Sequence, residues 1–173
     1  NTDYALGHLC LAYVYESTND YDMAINEYTS TISLDSSIPW AYAGRGVVYY
    51  NYYNDKYSNA IEDFSEALIL KSNWDYALFY RGLSYFSLGD DLSAIKDLQQ
   101  VLSLSNDEYF ITTAYGYLGD SYFAQKDYSL AIKYYTLAIN NQKDEGVITY
   151  LYHDRAVAYD QIGDIENTIA DFS

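Results

Sequence analysis

A tyrosine stands at residues 15, 49, 85, 122 and 159, and the residues around it recur with it. A period of roughly 34 residues marks a stacked-repeat architecture, in which each unit leaves an apolar face for its neighbour to cover. Ala12, Gly46, Gly82, Gly119 and Ala156 stand three positions before these tyrosines. Ile25, Ile61, Ile95, Ile132 and Ile169 follow in register, preceded by Ala24, Ala60, Ala94, Ala131 and, in the last copy, Thr168. The chain reads as a single domain of five copies, over residues 5–38, 39–74, 75–108, 112–145 and 149–173, the last incomplete.

Each copy is expected to be a pair of antiparallel helices. In the third, Tyr76, Phe79, Tyr80, Leu83 and Phe86 fall at spacings of three and four, which gathers large groups on one helical face. Gly89-Asp90 breaks the run, and a second amphipathic stretch goes from Leu92 through Ile95, Leu98 and Val101 to Leu104. Similar turns recur as Asn19-Asp20, Asn54-Asp55, Lys126-Asp127 and Gly163-Asp164. No stretch alternates with period two, so no sheet is predicted. The small residues in register, such as Gly82 and Ala94, are expected where one helix backbone approaches another.

The segments RGLSYFSLGDDLSAIKDL (81–98) and LGDSYFAQKDYSLAIKYYTLAI (118–139) resemble the tetratricopeptide repeat, and the resemblance extends over residues 5–173. It implies an all-α, right-handed α-solenoid of stacked helix-turn-helix repeats. Two departures stand out. The proline usual after the second helix is missing, the single Pro39 instead opening a first helix. Extra residues occur around 51–54, 109–111 and 146–148, and point to a less regular superhelix.

Nine basic residues against 25 acidic ones give a net charge of −16, which disfavours nucleic acid and anionic membrane surfaces. No apolar run is long enough to span a bilayer. The chain lacks an initiating Met and stops within a second helix, as a processed chain or fragment would. Cys10 is alone, so no internal disulfide is possible, and it is expected to be a small buried hydrophobe. His8 and His153 have no nucleophile or acid in a matching pattern, and no Cys/His set has zinc spacing. No glycine-rich phosphate loop or calcium loop occurs. No enzyme activity, metal or cofactor is expected.

The three arginines, Arg45, Arg81 and Arg155, occupy one repeat position, and each such copy has an aspartate just after its Ala/Thr-Ile pair: Asp63, Asp97 and Asp171. Copies with Leu11 and Leu118 carry Glu27 and Tyr134 there instead. This covariation within one chain predicts Arg–Asp bridges between the two helices of a repeat.

The resemblance further implies that the first helices line a concave groove for a peptide or helix. Its lining would be Tyr13, Trp40, Val47, Tyr50, Tyr76, Phe79, Leu83, Phe86, Asp120 and Phe123. The family's clamp for C-terminal carboxylates uses lysine, asparagine and arginine where this chain has Leu9, Tyr13, Ala43 and Val47. An aromatic, acidic groove suits instead an apolar or amphipathic protein segment with some basic residues. The alternative expectation is self-assembly. Leu6, Leu9, Leu11 and Val14 at one end, and Ile165, Ile169 and Phe172 at the other, could stack head to tail into a filament.

Overall fold

The computed structural model describes residues 2–173, and among them it contains ten helices and no strand. The helices are α1 (Thr2–Ser17), α2 (Tyr21–Leu34), α3 (Pro39–Tyr52), α4 (Tyr57–Leu70), α5 (Asp75–Ser87), α6 (Asp91–Leu104), α7 (Glu108–Ala124), α8 (Tyr128–Asn141), α9 (Glu145–Gln161) and α10 (Ile165–Phe172).

The turn between paired helices has one recurring chemistry. Asn19, Gly89, Lys126 and Gly163 take φ of 62°, 77°, 63° and 76°, the left-handed conformation that ends a helix. The aspartate that follows caps the next helix. Asp20, Asp90, Asp127 and Asp164 accept from the backbone N–H of Met23, Ser93, Leu130 and Asn167. The second copy departs: α4 follows Lys56, with no side-chain cap, after the extra residues at 51–54. Pro39 occupies the first turn of α3, where its missing N–H costs nothing. The extra residues of the fourth and fifth copies form no loop. They lengthen the first helices, so that α7 and α9 each run for 17 residues.

The chain divides into two compact units, residues 1–88 and 89–173. In the first, α1 packs on α2, α3 on α4, and α2 and α4 on the helix that follows. Leu9, Ala12, Ala24, Tyr28, Ala41 and Val48 form its buried cluster, flanked by Tyr15, Ile25 and Ile32. The repeated tyrosine and isoleucine are thus packing positions. A Cβ built on Gly46 would lie 3.0 Å from the Phe64 ring of the paired helix, so glycine lets α3 sit against α4.

In the second unit α6 packs on α7, α7 on α8, α8 on α9 and α9 on α10. Ala131, Tyr135, Ala138, Leu151 and Ala158 make its buried cluster, with Tyr122, Phe123 and Ile132 against them. Gly119 repeats the Gly46 arrangement more tightly: its Cβ would meet the Tyr135 ring at 2.5 Å. Among the described residues no helix is long and apolar enough to cross a membrane.

Candidate functional site

In the first unit an open cleft of about 490 Å³ is lined by Tyr13, Glu16, Ser17 and Asn19 of α1 and its turn, Tyr52 of α3 and Tyr76 of α5. Three successive first helices therefore each supply a tyrosine. The Glu16 carboxylate accepts from the Tyr28 hydroxyl at 2.7 Å, and Tyr28 meets Tyr13 edge-on at a centroid distance of 5.8 Å. Burial first pushes both phenols up from their ordinary value, followed by the Glu16 charge at Tyr13 and by the hydrogen bond to Glu16 at Tyr28. At Tyr76 burial leads, the Tyr80 ring follows, and Glu16 adds to both. These phenols stay protonated at neutral pH, the Tyr28 proton already donated to Glu16, whose carboxylate can only accept.

The second unit has a smaller cleft of about 240 Å³ between α7, α8 and α9. Asp120 and Phe123 line it with Tyr135, His153, Asp154 and Val157. Asp120 accepts from the Tyr135 hydroxyl at 2.9 Å. Its carboxyl is nevertheless pushed up to about 6, chiefly by burial and further by the charges of Asp154 and Asp91, which outweigh that hydrogen bond. His153, which also lines the cleft, lies 3.2 Å from the Asp154 carboxylate.

Of the ten residues expected to line the groove, Tyr13 and Tyr76 share one cleft and Asp120 and Phe123 share the other. Val47, Phe79 and Leu83 are only 5%, 0% and 4% exposed, so the expectation fails for them: they are core residues. A first helix in a stack has a second helix on one flank and a neighbouring repeat on another, so only a narrow strip remains open. Tyr50 packs against Tyr57 and Tyr80, and Phe86 is half-buried. Trp40 is exposed and pairs with Trp74, but it does not line the cleft. Tyr52 was missed because it lies among the extra residues of copy two, where repeat register gives no guide.

Arg45 donates from Nε and Nη2 to both oxygens of Asp63, at 2.9 and 2.7 Å. Arg155 does the same to Asp171 at 2.8 and 2.7 Å. Arg81 lies in the first unit and Asp97, which is buried, in the second. Each arginine also donates to a hydroxyl that sequence reasoning overlooked. Nη1 donates to Thr29, Ser65 and Thr136 for Arg45, Arg81 and Arg155, at 2.9, 3.1 and 2.9 Å. Those hydroxyls belong to the second helix of the preceding copy, and each donates in turn to the carbonyl four residues back. The signal was present: Ser or Thr precedes every arginine-bearing copy, whereas Gln99 precedes the copy with Leu118. In the first copy His8 Nδ1 lies 2.5 Å from Glu27 Oε2, which accounts for the glutamate there. Cys10 is exposed, contrary to expectation: no neighbouring helix covers its face of α1.

Models of the tetratricopeptide repeat match residues 7–38, 76–104 and 93–146. No curated protein sequence matches the chain significantly. Among solved structures, a crystal structure of MamA protein is 21% identical, with a TM-score of 0.86 over 97% of this chain and 87% of the other. YrrB, described as a TPR protein with an unusual peptide-binding site, is 21% identical, with a TM-score of 0.83 over 96% and 82%. The first TPR of Spaghetti (RPAP3), bound to an HSP90 peptide SRMEEVD, is 25% identical, with a TM-score of 0.66 over 73% and 96%.

Proposed function

The chain belongs to the tetratricopeptide repeat family and is an all-α solenoid of helix pairs, and from that premise we propose that it is a non-catalytic scaffold for protein partners. It holds an apolar or amphipathic segment with some basic residues against the faces of its first helices. The observation that carries this reading is the pairing of aromatic walls with carboxylates in both clefts: Tyr13, Tyr52 and Tyr76 with Glu16, and Phe123 with Asp120 and Asp154. Rings supply contact area at low entropic cost, and the carboxylates select positive charge. RPAP3 and YrrB carry peptide binding in their descriptions, which makes peptide recognition the parsimonious reading. The chemistry here differs from that of the acidic SRMEEVD peptide, whose carboxylates would meet Glu16 or Asp120 and Asp154.

The test is a fluorescence-anisotropy panel of amphipathic peptides with lysine or arginine, their glutamate counterparts, and SRMEEVD. Basic peptides are expected to bind, more weakly at high salt, and to lose affinity to Asp120→Asn/Phe123→Ala or Tyr13→Ala/Tyr76→Ala. Preference for the acidic peptides, or equal binding by wild type and both variants, would overturn the reading.

Self-association is the second reading. Leu6, Leu11 and Val14 of α1 and Ile165, Ile169 and Phe172 of α10 are all exposed, whereas Leu9 packs inward. Light scattering over a concentration series decides it: assemblies of growing length support stacking, and a monodisperse monomer at the highest concentration removes it.

A further inference from the structure

The chain has two tryptophans, and they touch: the rings of Trp40 and Trp74 cross at 71° with centroids 4.3 Å apart. Trp40 is 46% exposed at the start of α3, whereas Trp74, the residue before α5, is 4% exposed and stacks on Tyr76. Over this corner lies Lys71, its Nζ 5.1 Å from the Trp40 centroid and 4.4 Å from that of Trp74. Lys71 follows the last residue of α4 as its C-cap, and its backbone N–H donates to the Ala67 carbonyl. Among the described residues no carboxylate pairs with its ammonium. In a chain with 25 acidic residues, this ammonium lies against indole rather than carboxylate.

We propose that Trp40 and Trp74 form a binding site for the ammonium group of a partner protein's lysine, occupied in the free chain by Lys71 as an internal stand-in. The electron-rich face of an indole attracts a cation, most strongly when the cation sheds little hydration. Lys71 shows that an ammonium fits over the corner made by these two rings. Lys71 is itself exposed, and Trp40 keeps 46% of its surface in solvent with the lysine in place. Methylation of the incoming lysine lowers its hydration and so favours transfer from water to the rings. The site uses none of the residues lining the two clefts except Tyr76, which only backs Trp74, so it stands or falls apart from the groove reading.

Because the tryptophans are confined to this site, indole fluorescence excited beyond the tyrosine band reports it alone. The probe is Nε-trimethyl-lysine amide, with lysine amide and an uncharged tert-butyl analogue of the same shape as comparisons. Wild type is expected to respond saturably to the trimethyl probe. Lys71→Ala and Lys71→Gln, which remove the stand-in, should tighten binding about two- to fivefold, the factor an exposed cation–π contact is worth. Trp40→Ala in the Lys71→Ala background should abolish the response, with far-UV circular dichroism checking that every variant is folded. An absent response in folded Lys71→Ala, or equal binding of the uncharged analogue, would overturn the proposal.

Discussion

Asp120 puts a measurable cost on the folded state. Its carboxyl lies near 3.8 when solvated and at about 6 in the cleft, because burial and the charges of Asp154 and Asp91 oppose ionisation. The folded chain therefore holds a proton that the unfolded chain has released, and stability falls as pH rises between those two values. At 1.36 kcal/mol per pKa unit, the cost grows from under about 1 kcal/mol near pH 4 to about 3 kcal/mol near pH 7. Asp120→Asn keeps the shape and an oxygen for the Tyr135 hydroxyl, but cannot ionise. It should be close to wild type near pH 4 and more stable by about 2–3 kcal/mol near neutrality, a Tm increase of roughly 5–10 °C for a chain of this length. The assay is the difference in urea stability between the two proteins at matched pH, which cancels the other carboxylates. A gap that is constant with pH, or a less stable Asn variant at pH 7, would show that Asp120 ionises freely and that the cleft is not the desolvated site described above.

Glycine substitutions should separate by geometry. Gly119→Ala should destabilise, because about 1–3 kcal/mol of overpacking against the Tyr135 ring exceeds the gain of about 1 kcal/mol in helix propensity. Gly7→Ala meets nothing within 4 Å and should stabilise by about 0.5–1 kcal/mol, with thermal melts reading both signs. Arg45→Ala strands the buried Asp63 and should cost about 3–5 kcal/mol, whereas Arg45→Met/Asp63→Leu should cost much less; equal losses in denaturant titrations would contradict this. Since burial already holds the Asp63 carboxyl above its usual range despite the guanidinium, the Arg45→Ala deficit should shrink as pH falls. Cys10 should react with a thiol reagent in the native chain as readily as after denaturation.

The parts of the molecule that repeat were readable from the letters, because each helix pair solves the same packing problem. Tyr15, Ile25, Tyr122 and Ile132 sit against the buried clusters that their register implied. Covariation of arginine with aspartate foretold a contact between Arg45 and Asp63, and between Arg155 and Asp171, since burying either member alone is costly. Legibility ended where periodicity ended. Phe79 and Tyr76 both lie on the first helix of copy three, yet one is sealed and the other half open, a difference set by neighbouring helices. The lysine over the tryptophans was invisible because Lys71 and Trp40 are distant in sequence and neither recurs.

Leu118 stands where three other copies have arginine, and this leaves a fault line in the second unit. Between α8 and α9 the guanidinium of Arg155 clasps Thr136 while gripping Asp171, whereas at the matching place between α6 and α7 the neutral amide of Gln99 donates to the exposed hydroxyl of Tyr122. A row of helices behaves like a chain of links, and under tension the link without a clasp parts first. Stretched along its length, this unit should shear at that seam and shed α6 while the remaining helices still hold.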